Sequence, residues 1–226
     1  MKVSLTDAGK RFNRDWIFRH LNYTFETGNS YAIVGPNGSG KSTLLQVLSG
    51  SMQLSEGKIC WSMTNPSTKN EVTMSNEIVH RCVSICAPYL EVVEEMNLEE
   101  FLTFHDHFKP FLPSLTVGEI ASMVGLEQAI HKQIRYYSSG MKQRVKLAQA
   151  IFSDSALLLL DEPCTNLDTA GVELYNRLIY QYCQDRLVIV SSNDKTEYGF
   201  CTEKINVADY KTHFSYNTAR SDKTIR

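Results

Sequence analysis

The sequence carries no strong charge of either sign: 23 Lys and Arg face 25 Asp and Glu in 226 residues, a net of −2, and the two signs are interspersed. That excludes a protein whose main task is neutralising nucleic-acid phosphates, which needs a basic face. Long apolar runs are missing as well. The longest purely aliphatic stretch, Ala156 to Leu160, falls far short of the roughly 20 residues that a membrane-spanning helix needs. Met1 to Phe12 holds no apolar core of signal-peptide length, so the chain is expected to stay in the cytoplasm. Six cysteines without a secretory leader read as reduced thiols rather than as a disulfide framework. Cys82 and Cys86 lack a second pair, which argues against zinc. His105 and His107 lie two apart on an expected helix and cannot share a face, so both read as surface or half-buried histidines. Internal repeats and low-complexity segments are also absent.

What remains is an ordinary globular composition, 42% hydrophobic and 21% charged. A chain of 226 residues is long enough to bury about 70% of its unfolded surface without a disulfide or metal staple. It reads as one sizeable domain with room for an inserted subdomain. Val3 to Leu5, Tyr31 to Val34, Ala156 to Leu160 and Leu187 to Ser191 read as buried strands. The last three are short continuous apolar runs, as expected of strands covered on both faces. Helical patterns separate them, which predicts an α/β fold with a mostly parallel core sheet. Residues 1–30 read differently. Leu21, Tyr23 and Phe25 alternate with polar residues before the Gly28-Asn29 turn, so an antiparallel edge subdomain is expected there.

From Pro88 to Phe152 the helical period dominates and no good strand is visible. Asn97 with Glu100 forms a capping box, followed by Leu98, Phe101, Leu102, His105 and Phe108 on one face. Thr116 with Glu119 forms a second box, with Val117, Ile120 and Val124 at helical spacing before Gly125. Pro110 and Pro113 break the chain between the two. The expected organisation is one α/β domain over residues 1–210, with a helical insertion at about 88–152. A last strand is expected at Lys204 to Val207, and residues 211–226 read as a loose tail.

The strand Tyr31–Val34 runs directly into Gly35-Pro36-Asn37-Gly38-Ser39-Gly40-Lys41-Ser42-Thr43 and then a helical Leu44-Leu45-Gln46-Val47-Leu48. This is G-x-x-x-x-G-K-S between a strand and a helix, the context the motif requires. Glycines let the backbone curl so that successive N–H groups point inward as an anion nest, and the helix adds its positive N-terminus. Lys41 supplies a charge for the β- and γ-phosphates, and the Ser42 hydroxyl is a ligand for Mg²⁺. A second apolar strand ends in Asp161-Glu162-Pro163. It would carry a carboxylate to its C-terminal edge next to the phosphate loop. Asp161 is the expected second Mg²⁺ ligand, and Glu162 the expected acceptor of the proton from an attacking water.

Together with Tyr137-Ser138-Ser139-Gly140-Met141-Lys142-Gln143-Arg144, these residues make the chain resemble the nucleotide-binding subunit of an ATP-binding-cassette (ABC) transporter. The resemblance covers about residues 1–210, and the interval from Lys41 to Asp161 suits that family with its helical insertion. The resemblance implies a P-loop fold, ATP and Mg²⁺ as ligands, and ATP hydrolysis powering transport through a separate membrane permease. Ser138, Ser139 and Gly140, at the start of an expected helix, would meet the γ-phosphate held by an opposite subunit. That implies a head-to-tail dimer with a second copy or a related ATPase subunit. Thr165-Asn166-Leu167-Asp168 matches the family's D-loop, and Phe12 stands at the interval of its adenine-stacking aromatic, with Trp16 as the alternative. The helical insertion is the expected permease contact, near Tyr89 and the acidic run Glu91, Glu94 and Glu95; a simple solvated face is the other reading of that run.

Three places depart from the family pattern. Ser192-Asn193-Asp194 puts Asn193 where the switch histidine is expected, and an amide can donate a hydrogen bond but cannot carry a proton. The loop after a strand-ending proline reads Ala87-Pro88-Tyr89, and no glutamine lies between Gln53 and Gln128. The signature has Ser139 for a glycine and Met141 for a glutamine. These changes bear on the hydrolysis rate more than on nucleotide binding. They leave two alternatives: a soluble ABC ATPase of an assembly pathway, and a slowly hydrolysing nucleotide-gated regulatory module. Tandem cassettes, coiled coils and basic arms, usual in the family's translation and repair members, are not seen, and no nucleic-acid partner is expected.

Overall fold

The computed structural model describes residues 1–64 and 69–211. From Thr212 on, the expected loose tail lies outside the described residues. In chain order the elements are β1 (Lys2–Phe12), β2 (Asp15–Glu26), β3 (Ser30–Val34), α1 (Lys41–Leu48), β4 (Glu56–Thr64), β5 (Glu71–Met74), α2 (Asn76–Val79), β6 (Val83–Cys86), α3 (Leu98–Phe108), α4 (Val117–Met123), α5 (Ser139–Phe152), β7 (Leu157–Asp161), α6 (Thr169–Tyr182), β8 (Leu187–Ser191), α7 (Lys195–Tyr198) and β9 (Glu203–Asn206). One sheet is antiparallel, in the order β2-β1-β4-β5. The other is wholly parallel, in the order β6-β7-β8-β3-β9.

Both faces of the parallel sheet are covered, which is why β7 and β8 bury every residue. Side chains alternate along each strand. Leu157, Leu159, Leu187 and Ile189 pack with α1 and the antiparallel sheet, through Leu44, Leu45, Leu48, Phe18 and Trp61. Leu158, Leu160, Val188 and Val190 face the other way, onto α3, α5 and α6. Trp61 also donates its indole N–H to the Leu48 carbonyl at 2.9 Å, closing the C-terminal end of α1.

Both capping boxes form. Asn97 and Glu100 exchange bonds at the start of α3, and Thr116 and Glu119 at the start of α4. Such a cap contributes about 1 kcal/mol. Leu98, Phe101 and Leu102 are buried as expected, but Phe108 is 75% exposed and packs its ring, tilted, against Phe104 with centroids 4.9 Å apart. Phe108 falls on the solvent-facing edge of α3 with the exposed Phe104, while His105 and the C-cap Lys109 reach inward to Ser153 and to the His80 and Val83 carbonyls. His105 is half-buried, 2.8 Å from the Ser153 hydroxyl, and burial lowers its pKa to about 4. His107 is exposed.

Three strands had no clear signature in the sequence. β4 is largely solvated and interrupted by Gly57, β5 has no buried residue, and β6 is only four residues long. Their pairing supplies what their pattern lacks: β4 lies against β1, and β6 against the buried β7.

Candidate functional site

In a parallel sheet all C-terminal strand ends emerge on one edge, and ligands bind there. The loop after β3 is the glycine-rich segment Gly35–Gly40, the loop after β7 begins at Glu162, and the loop after β8 carries Ser192-Asn193-Asp194. The strand order refines the sequence reading at one point. β7 is not the neighbour of β3; β8 lies between them and pairs with both. Asn193 is thereby set between the glycine-rich loop and the acidic pair.

Gly35, Gly38 and Gly40 all have positive φ, and a side chain at Gly40 would strike Ile17, whose Cγ2 would lie 2.2 Å from the added carbon. The loop therefore needs glycine there both for conformation and for space. Its inward side is equipped for an anion. Ser39 Oγ is buried without a hydrogen-bond partner among the described residues, and the Lys41 ammonium folds back 2.9 Å from the Gly35 carbonyl. Ser42 is exposed at the start of α1. An open cleft of about 290 Å³ is lined by Ile17, Asn37, Gly38, Gly40, Lys41, Ser42, Thr43 and Glu162. Asp161 is buried behind it and accepts a hydrogen bond from Ser191 at 2.6 Å.

Asn193 reaches the glycine-rich loop directly. Its Oδ1 accepts from the Gly35 N–H at 3.3 Å, and its Nδ2 donates to Asn37 Oδ1 at 3.4 Å. Phe12 is not among the residues lining the cleft; it ends β1 and lies under the Lys10 ammonium, while Ile17 of the same hairpin touches the loop. Trp16 is taken up between Arg11 and Arg19.

Ser138 is the N-cap of α5: its hydroxyl accepts from the Met141 N–H at 3.2 Å, and the residue is exposed, with Ser139 and Gly140 opening the helix. The helix start abuts the D-loop so closely that a side chain at Gly140 would come within 3.0 Å of the Asn166 carbonyl. Asp168 caps α6 through the Gly171 N–H at 2.8 Å and lies 3.6 Å from Arg144. The acidic run is partly engaged within the chain. Glu94 pairs with Lys142 at 2.5 Å and Glu95 with Arg135 at 3.7 Å, while Tyr89, Leu90 and Val93 beside them are exposed.

The sequence reading assigned no role to Ile17, Ser191, Gln143 or Glu197. Gln143 belongs to the signature segment, but only its burial distinguishes it from its neighbours. Glu197 stands in α7 directly after the Asn193 loop, and nothing in its surroundings marks it as buried. A larger cavity, about 450 Å³, lies near Asp154, Asp185 and Arg186 at the opposite edge of the parallel sheet. Its buried Arg186 is already bonded to Ile151, Ser155 and Ser84, which leaves little for a ligand.

A glycine-rich loop joining a buried strand to a helix, on one sheet edge with a strand-end carboxylate, defines an α/β P-loop domain. The family model described as ABC transporter matches residues 18–165, and the chain belongs to that family. It is 30% identical over 205 residues to the uncharacterized ABC transporter ATP-binding protein YybJ of Bacillus subtilis, covering 86% of this chain and 87% of that one. It is 29% identical to the cytochrome c biogenesis ATP-binding export protein CcmA of Rhizobium meliloti, over 90% of this chain and 96% of that protein. Other B. subtilis ABC transporter ATP-binding proteins that it resembles are longer, and the chain spans between 51% and 66% of their length. The fold is that of a solved dimeric bacterial ABC transporter cassette, with a TM-score of 0.75 at 18% identity over 91% of this chain and 95% of that one. Among the described residues, no helix is long and apolar enough to cross a membrane.

Proposed function

We propose that the chain binds ATP with Mg²⁺ at the glycine-rich loop, hydrolyses it as one half of a head-to-tail dimer, and drives a separate membrane permease. The observation that carries this reading is the cleft lined by Lys41, Ser42 and Glu162, next to the buried Ser39 hydroxyl that has no hydrogen-bond partner among the described residues. Backbone N–H groups of Asn37, Gly38 and Gly40 and the N-terminus of α1 hold the phosphates, and Lys41 leaves the Gly35 carbonyl to meet them. Ser42 and Asp161 are the residues that would hold Mg²⁺, whose charge offsets that of the phosphates. Glu162 accepts the proton of the attacking water. Ser138, Ser139 and Gly140 present a helix N-terminus that would close on the partner's nucleotide, and Asp168 fixes the adjoining loop. Phe12 remains the proposed adenine-stacking ring, with Ile17 as the apolar wall beside the loop. The names of CcmA, an export protein, and of a dimeric cassette support the transport and dimer parts.

Two measurements test the whole reading. The full chain should turn over ATP, and a pull-down from detergent-solubilised membranes should recover an integral membrane protein that changes that turnover. Recovery of soluble scaffold proteins alone would favour an assembly ATPase instead.

Asn193 favours a variation on this reading, a cassette that clamps ATP and hydrolyses it slowly. An amide hydrogen bond to a charged γ-phosphate contributes roughly 1–3 kcal/mol. If it acts in the transition state, Asn193→Ala slows hydrolysis about 5- to 150-fold, since 1.36 kcal/mol is tenfold. ATP affinity should stay within a few-fold, and Asn193→His should be tolerated or faster. Steady-state kinetics of both variants decide it; an Ala variant as fast as the parent would reduce Asn193 to a brace for Gly35 and Asn37.

A further inference from the structure

Glu162 sits at a strained point of the backbone. Its φ is 45°, in the left-handed region that side chains disfavour. Its own N–H donates to the Ser191 carbonyl at 2.9 Å, and its carbonyl accepts from the Thr165 N–H at 3.2 Å. The second bond closes a four-residue turn, Glu162-Pro163-Cys164-Thr165, whose central unit is the Pro163–Cys164 peptide. In such turns the central peptide is the group that flips between the two common types, and its flip redirects the backbone on either side.

Both poles of this peptide are held by buried side chains from separate elements. The Pro163 carbonyl accepts from Gln143 Nε2 at 2.7 Å, and the same amide nitrogen lies 3.7 Å from Cys86 Sγ at the end of β6. The Cys164 N–H donates to Glu197 Oε1 at 2.7 Å. Gln143 and Glu197 are 4% and 5% exposed. Glu197 is itself fixed, since its backbone carbonyl accepts from the Tyr175 hydroxyl at 2.8 Å. A buried carboxyl and a buried amide with so few other partners are expensive to desolvate, and their common target is one peptide.

We propose that Gln143 and Glu197 are positioning residues that clamp the Pro163–Cys164 peptide and so hold Glu162 aimed into the cleft. The proposal rests on the reading of Glu162 as the base. It also gives the clamp a place in the cycle. Gln143 belongs to the helix that begins with the signature Ser138, and Glu197 follows the loop that carries Asn193. Movement of either segment is transmitted to the backbone of Glu162 through a single peptide plane.

The test uses the full chain and ATP turnover, with ATP affinity by calorimetry and folding by thermal melting. Gln143→Met keeps the length of the side chain and removes the donor; it should lower kcat about 10- to 100-fold, the scale of a small misplacement of a reacting group, with KM for ATP within about threefold. Glu197→Ala should do the same and speed hydrogen exchange at the Cys164 amide. Glu197→Gln retains an acceptor for that N–H and should recover most of the lost rate. If Glu197→Ala does not fold, Gln143→Met and the Glu197→Gln comparison with the parent carry the test: a Gln143→Met kcat equal to the parent's would overturn the clamp. So would a loss expressed entirely in KM. Glu162→Gln separates the two levels. If it hydrolyses ATP at the parent rate, the base reading fails and the clamp falls with it; if it is inactive while both clamp variants match the parent, the clamp alone fails.

Discussion

Replacing Glu162 by glutamine is expected to leave ATP binding intact and to lower turnover about 10²- to 10⁴-fold, the usual worth of a positioned general base. The amide preserves the shape of the side chain and its place at the cleft beside Lys41 and Ser42. It removes only the capacity to take a proton. The turn that follows, with its bonds to Gln143 and Glu197, involves the backbone of Pro163 and Cys164 and is untouched by the change. Because nucleotide would bind without being consumed, the variant should accumulate as an ATP-bound dimer, visible by size-exclusion chromatography with ATP. Hydrolysis at the parent rate would remove Glu162 from the chemistry. A monomer alone under those conditions would show that the isolated chain does not form the composite site.

Lys41→Ala carries the second large effect, on binding rather than on turnover alone. A charge-assisted hydrogen bond contributes about 1.5–3 kcal/mol, which corresponds to a loss of roughly 10- to 150-fold in ATP affinity. Part of the lysine's worth is already in use, because its ammonium is buried against the Gly35 carbonyl and must exchange that contact for phosphate. The expected loss therefore belongs in the lower part of that range. Calorimetric titration with ATP checks it, and an unchanged affinity would overturn the assignment of the loop as the phosphate site. The alanine variant should fold, since α1 is anchored by Leu44, Leu45, Val47 and Leu48 rather than by its first residue.

Much of this protein is written in short stretches of sequence. The phosphate loop was legible because its glycines, lysine and hydroxyl are consecutive and lie between a strand and a helix. The acidic pair was legible because it ends an apolar run, and the two capping boxes because each is complete within four residues. Burial on both faces also shows locally, as in the runs that became β7 and β8. These features depend on neighbours along the chain, so pattern and spacing suffice to find them.

Other features depend on partners far away in sequence. Asn193 meets Gly35 across 158 positions, and does so because β8 is inserted between β3 and β7. Nothing in the apolar runs encodes that order. β4 and β6 lacked a clear pattern because their stability comes from pairing with β1 and β7. Ile17 carries no signal in the sequence and becomes a wall of the cleft only because β2 lies against Gly40. The clearest case is Glu197: in sequence it is one more carboxylate in a polar stretch, and in the fold it is buried and bonded to the Cys164 amide. The sequence by itself determined the buried strands β3, β7 and β8, the phosphate loop and the carboxylates, because local patterns specify them. Only the tertiary structure decided which loops share the cleft edge and which peptide is held, because strand order and long-range hydrogen bonds are properties of the assembled sheet.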